Sequence, residues 1–154
     1  MMYTEFVKDF AQRTKQNYNS LAKGQYEVTQ LINSAVGLLI IPNQKMFNKI
    51  EDSIISEELF DRVKGCIIQN TYAEAMNLKQ FTRHLRNSIA HGNMEFVAEQ
   101  NSITGKTIAI HSVIFTDTDK QHNRKNFHEI TIKMPIGLLR EFFFAFADAI
   151  SNIK

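Results

Sequence analysis

The sequence predicts an α+β fold, predominantly helical, with a small antiparallel three-stranded β insertion before the last helix. Three observations predict it. Apolar residues recur at helical spacing in several stretches between Tyr3 and Ile89, the period turns to alternation between residues 94 and 134, and helical spacing returns from Ile136 to Ile150. No internal repeat, low-complexity stretch or linker divides the chain. Its 154 residues suit one domain, expected as a helical core over residues 3–92 and 135–154 with the β insertion over 94–134.

The first helix is expected from Tyr3 to near Gly24, with Phe6, Val7, Phe10, Tyr18 and Leu21 on its apolar side. A second carries Val28, Leu31, Ile32, Ala35, Leu38 and Leu39, and Pro42 is expected to close it. Residues 43–52 show no clear period. Ser56, followed by Glu57 and Glu58, marks a short helix, because a hydroxyl cap and an acidic first turn both satisfy its free amides; Gly65 ends it. The run Thr71-Tyr72-Ala73-Glu74 fits a capping box and predicts that a long helix starts near Thr71 and ends at Gly92, spanning ~30 Å. Residues 94–99, 107–116 and 127–134 are rich in Ile, Val, Thr and Phe and read as strands. The polar segment 117–126 between the last two reads as a solvated hairpin tip, in preference to a basic finger on a nucleic-acid backbone. Pro135 suits the first turn of the terminal helix. Phe144 and Ala145 widen the apolar face of that helix, so it is either deeply buried or packed against another subunit.

A hydrophobic share of 44% and a charged share of 22% are those of a soluble globular protein. Glu5, Lys8 and Asp9 argue against a signal peptide, and every apolar run is far shorter than the ~20 residues of a membrane span. The single cysteine, Cys66, excludes an internal disulfide, agrees with a reducing cytoplasmic setting, and beside Ile67 and Ile68 reads as a core residue. A net charge of +2 excludes a protein that coats nucleic acid through a broad basic surface. Any contact with RNA is therefore local. Lys79, Arg83, His84 and Arg86 concentrate positive charge, and no acidic residue lies between Glu74 and Glu95.

Those residues fall on the helix that ends Arg86-Asn87-Ser88-Ile89-Ala90-His91-Gly92. At ~100° per residue, Leu78, Phe81, Leu85 and Ile89 share one side, while Gln80, Arg83, His84, Asn87 and His91 share the other with Arg86 on the flank. Two readings compete for the polar side: a solvated face whose His and Gly merely end the helix, and a phosphate-handling site. His111 and His128 read as exposed or half-buried strand residues, and His122 as a loop residue. No convincing metal-ligand cluster and no cofactor motif appears.

The motif Arg86-Asn87, three residues and His91, closing an amphipathic helix in a small helical domain, resembles the signature of the HEPN superfamily (higher eukaryotes and prokaryotes nucleotide-binding). Ala90 and Gly92 on either side of His91 also resemble family members, and the strands resemble a β insertion of some plasmid-borne bacterial ones. The resemblance implies a HEPN-like helical bundle, a metal-independent endoribonuclease of toxin or phage-defence type, a homodimer with a shared site, and an antitoxin or defence-system partner. It selects Arg86, His91 and Asn87 as catalytic residues. A non-catalytic module that binds RNA, a nucleotide or a protein is the alternative. One toxin subgroup carries a tyrosine two residues after the histidine, where a partner modifies it; here that position is Asn93.

The residues support this chemistry on their own terms. RNA supplies its own nucleophile, the 2′-hydroxyl. Histidine exchanges protons near neutrality, and the arginine fork suits a phosphate whose charge grows during transfer. Asn87 lies ~40° from His91 in projection, placed to orient the imidazole or bond the phosphate. In-line transfer needs a proton removed and another delivered on the far side. His84 lies seven residues from His91, ~10 Å along a helix, so a second His91 from another copy of the chain is the expected partner. For Arg83 and His84 a solvated pair is preferred, with RNA-backbone contact, shared with Lys79, as second choice.

Overall fold

The computed structural model describes residues 3–21, 27–72, 75–100, 102–105, 107–119 and 128–154. Helices α1 (Tyr3–Ser20), α2 (Glu27–Ala35), α3 (Ile41–Met46), α4 (Glu57–Lys64), α5 (Leu78–Ala90) and α6 (Ile136–Asn152) pack with an antiparallel sheet, against which α5 and α6 lie. Its strands β1 (Ile67–Asn70), β2 (Met94–Gln100), β3 (Thr107–Asp119) and β4 (His128–Pro135) run in the order β1-β4-β3-β2. The expected polar tip lies outside the described residues beyond Asp119.

Four expectations are corrected. Pro42 does not close the second helix. A single π-helical turn, Val36–Ile40, follows α2, and Pro42 sits buried in the first turn of α3. Ile41 N–H reaches back to Val36 O across that wider turn, so the hydrogen-bond ladder shifts one residue just where proline has no donor to give.

The motif helix starts at Leu78, not Thr71, and has 13 residues. Its capping box is Asn77 with Gln80: the Gln80 amide donates to Asn77 Oδ1 at 2.8 Å, and the Asn77 amide to Gln80 Oε1 at 3.4 Å. Asp52 Oδ1 accepts a further free amide, Leu78 N–H, at 2.7 Å. Thr71 instead holds the sheet edge. Its amide donates to Glu129 O at 3.1 Å, and its hydroxyl oxygen accepts from the Glu129 amide at 2.7 Å. The sheet consequently has a fourth strand, β1, drawn from outside residues 94–134. At the other end, Pro135 closes β4 and stands just before α6.

Elsewhere the pattern holds. Ser56 caps α4, its oxygen accepting from the Leu59 amide, and Leu59, Phe60 and Val63 are buried as their spacing predicts. Helix α6 fully encloses Leu139, Phe142, Phe143 and Phe146, while Phe144 and Ala145, which widen its apolar face, are half-buried, Phe144 meeting the Tyr18 ring edge-on at 5.4 Å. Cys66 packs partly buried against the core, and burial pushes its thiol pKa up.

The core fixes α5 from two sides. Phe81 lies edge-on to Phe60 of α4 and Phe142 of α6, with centroids 6.4 and 5.5 Å apart. Leu78 and Leu85 are likewise enclosed, while Ile89 is half-buried. Val113 and Phe115 of β3 and Ile130, Ile132 and Met134 of β4 complete the core. A buried polar bond, Asn43 Nδ2 to Thr82 Oγ1 at 2.7 Å, ties α3 to α5. No described helix is long and apolar enough to cross a membrane.

Candidate functional site

Helix α5 ends in a Schellman motif. Gly92, at φ 70°, sends its amide to Ile89 O at 3.2 Å, and the Asn93 amide reaches Ser88 O at 2.8 Å. An L-residue with a side chain rarely adopts that φ, which is why glycine follows His91. The turn leaves His91 exposed as the last residue of the helix end and sends the chain straight into β2. Thr116 N–H then donates to Asn93 O at 3.1 Å, which clamps the C-terminal part of β3 beside the end of α5.

Between these elements lies an open cleft of about 1280 Å³. Arg83, His84, Arg86, Asn87 and His91 all line it, so five of the sequence-predicted site residues share one cavity wall. Lys79 does not line it; its ammonium sits 5.1 Å from the centre of the Phe47 ring.

Arg86 is half-buried and anchored at one edge. Its Nε and Nη2 donate to Asn87 Oδ1 at 3.1 and 2.7 Å, which leaves its other N–H groups for a ligand. Burial lowers its pKa, and the nearby Arg83 charge acts in the same direction against the opposing pull of Asp117. Arginine nevertheless keeps its proton at any physiological pH. Asn87 also donates, through Nδ2, to Asp117 Oδ2 at 3.1 Å; its link to His91 is through the backbone, where the His91 amide donates to Asn87 O at 2.9 Å. Of the two roles expected for Asn87, orienting the imidazole or bonding the phosphate, its side chain takes up neither here and instead joins Arg86 to Asp117.

His84 is not part of a solvated pair. It is 1% exposed, and its Nδ1 lies 2.7 Å from Asp117 Oδ2. The Tyr72 ring covers it at 5.1 Å, itself stacked on His128 at 4.6 Å. Arg83 is half-buried on the cleft wall. His128 is half-buried and His111 exposed, as expected for strand residues, and neither lines the cleft; His122 lies outside the described residues.

Asp117 is the residue that sequence reasoning missed. It was expected in a solvated tip, yet β3 runs on through it, paired with Ile130 of β4, and buries it to 7% exposure. Burial acts to raise its pKa, but the hydrogen bonds from His84 and Asn87, with the nearby positive charge, outweigh this and hold it below the usual carboxylate range. The signal was parity. Val113, Phe115 and Asp117 alternate on the inward face, and a carboxylate in that series needs donors waiting for it. The positive charge that looked unopposed along the sequence is therefore opposed in space.

A family model described as HEPN pEK499 p136 matches residues 1–154, the whole chain. No curated protein and no solved structure matches it.

Proposed function

Because the chain belongs to the HEPN pEK499 p136 family, we propose that its cleft is the active site of a metal-independent endoribonuclease acting as a toxin or phage-defence effector. The observation that carries this reading is the pairing, on one cleft wall, of an anchored Arg86 with an exposed His91. The two roles need opposite properties. A group that stabilises growing phosphate charge works best when its donors are preorganised, and Arg86 is held before any ligand arrives. A general acid or base must reach the proton it moves, and His91 is exposed at the helix end.

In this mechanism Arg86 grips a non-bridging phosphate oxygen, the 2′-hydroxyl attacks in line, and one His91 takes its proton while another protonates the departing 5′-oxygen. Of the two histidines that line the cleft, His84 is enclosed and bonded to Asp117, which leaves His91 as the exposed one. This supports a homodimer that brings two copies of His91 to one phosphate. Arg83 extends the contact along the RNA backbone. Asn87 serves through Arg86.

The test is cleavage of RNA in excess chelator by wild type and His91→Ala, with molecular mass measured in the same buffer. Loss of about 10²–10⁴-fold is expected for His91→Ala. Equal cleavage by both proteins rejects the site, and cleavage by a strict monomer rejects the shared cleft. RNA binding without cleavage by either would favour a non-catalytic module.

A further inference from the structure

The buried carboxylate of Asp117 has a geometry that the ribonuclease reading does not use. It comes from β3, whereas every other member of the network sits on α5. One oxygen, Oδ2, receives both His84 Nδ1 at 2.7 Å and Asn87 Nδ2 at 3.1 Å. An ionised carboxylate only accepts hydrogen bonds. His84 must therefore present a proton on Nδ1, and Asn87 must turn its amide nitrogen toward Asp117. That choice fixes the other end of the amide. With its nitrogen on Asp117, Asn87 has only its carbonyl oxygen left for Arg86, and this is the atom that accepts from Nε and Nη2. The reversed amide would set donors against donors at the guanidinium.

We infer that Asp117 is the positioning residue for Arg86, acting through the amide of Asn87, with buried His84 as the donor that holds the carboxylate in register. The inference rests on the ribonuclease reading for its kinetic consequence, but not for its geometry. It makes β3 part of the site. The β insertion then does more than cover the core: it decides which way the Asn of the motif faces, and hence whether the Arg beside it is ordered before RNA binds. The Schellman turn and the Thr116–Asn93 bond fix the relation between β3 and α5 on which this depends.

The test has a structural arm and a kinetic arm. In 15N-labelled full-length protein, the Arg86 Nε–H resonance, assigned by its loss in Arg86→Lys, is expected to be resolved and slow to exchange. It persists in Asp117→Asn, because an amide oxygen at the Oδ2 position still accepts both bonds, and it moves to the position of a free guanidinium in Asp117→Ala and in Asn87→Leu. An unmoved resonance in folded Asp117→Ala overturns the inference, whether or not the protein cleaves RNA. In the kinetic arm, Asp117→Ala lowers kcat on the order of 10–100-fold, the scale for misplacing a group by ~1 Å, with little change in KM, and Asp117→Asn restores part of the loss. In an Asn87→Leu background Asp117→Ala adds no further loss of kcat. Full additivity of the two overturns the action through Asn87. A moved resonance with no RNA cleavage by wild type would leave the positioning intact and reject the ribonuclease reading instead.

Discussion

Replacing Gly37 with alanine sets two physical effects of opposite sign against each other. Helix propensity alone favours alanine over glycine by about 0.8–1.0 kcal/mol. Packing opposes it. A Cβ at Gly37 would lie 2.1 Å from Thr14 Oγ1, 2.8 Å from Thr14 Cβ and 3.0 Å from Thr14 Cγ2. Turning the Thr14 side chain would relieve the first clash but would break its bond to Phe10 O at 2.8 Å, worth about 1 kcal/mol. The Cβ–Cβ overlap would survive any rotamer, since such carbons rest at about 3.5–4.0 Å. The π-helical turn and α1 must then separate, at an overpacking cost of about 1–3 kcal/mol.

The expected net loss for Gly37→Ala is about 1–3 kcal/mol, set against a total stability of order 5–15 kcal/mol. With a urea m value of roughly 2 kcal/mol/M, the unfolding midpoint falls by about 0.5–1.5 M. The assay is urea unfolding of a double-mutant cycle with Thr14→Gly, the change that removes every clashing atom. Thr14→Gly alone is destabilising, but Gly37→Ala made in that background becomes neutral or stabilising. A stabilised Gly37→Ala single variant would refute the close approach of α1 to the π turn.

Two further outcomes are expected. Asn77→Ala removes the capping box of α5 and lowers stability by about 1 kcal/mol in the same urea assay, with Gln80→Ala adding less than its separate effect because the two bonds act as one unit. Asp117 and Asp148 both have lowered carboxyl pKa values: burial pushes each up, but bonds from His84 and Asn87 to the first, and from Lys15 and Gln12 to the second, outweigh it. A depressed folded pKa gives stability that is present above the unfolded value of about 3.9 and lost as pH falls through the folded one. Unfolding midpoints measured from pH 6 to pH 2 are expected to drop below about pH 4, and Asp117→Asn to drop less steeply, by at most about 1.4 kcal/mol per pH unit.

Sequence periodicity was enough to give the helical and alternating segments, the buried face of α5, the glycine that ends it and the placing of Asn87 and His91 on its polar side with Arg86 on the flank, because all of these follow from periods of 3.6 and 2 that local sterics impose. Local rules also placed the Ser56 cap, since its partner lies three residues away. What failed were choices between two local options decided by distant partners. Thr71 fits a helix cap as well as a strand end, and the Glu129 backbone on β4 decides for the strand. Pro42 fits a helix stop, and the wider turn before it lets the helical path continue. His84 lies on the polar side of α5 in projection, yet the sheet closes over part of that side and makes it interior. Asp117 is separated from Asn87 by 30 residues, and no pattern on α5 announces the carboxylate it will meet. Only the tertiary structure could join them, because the bonds that order Arg86 require β3 and α5 to be side by side, and that adjacency is set by the turn at Gly92 and the packing beneath it.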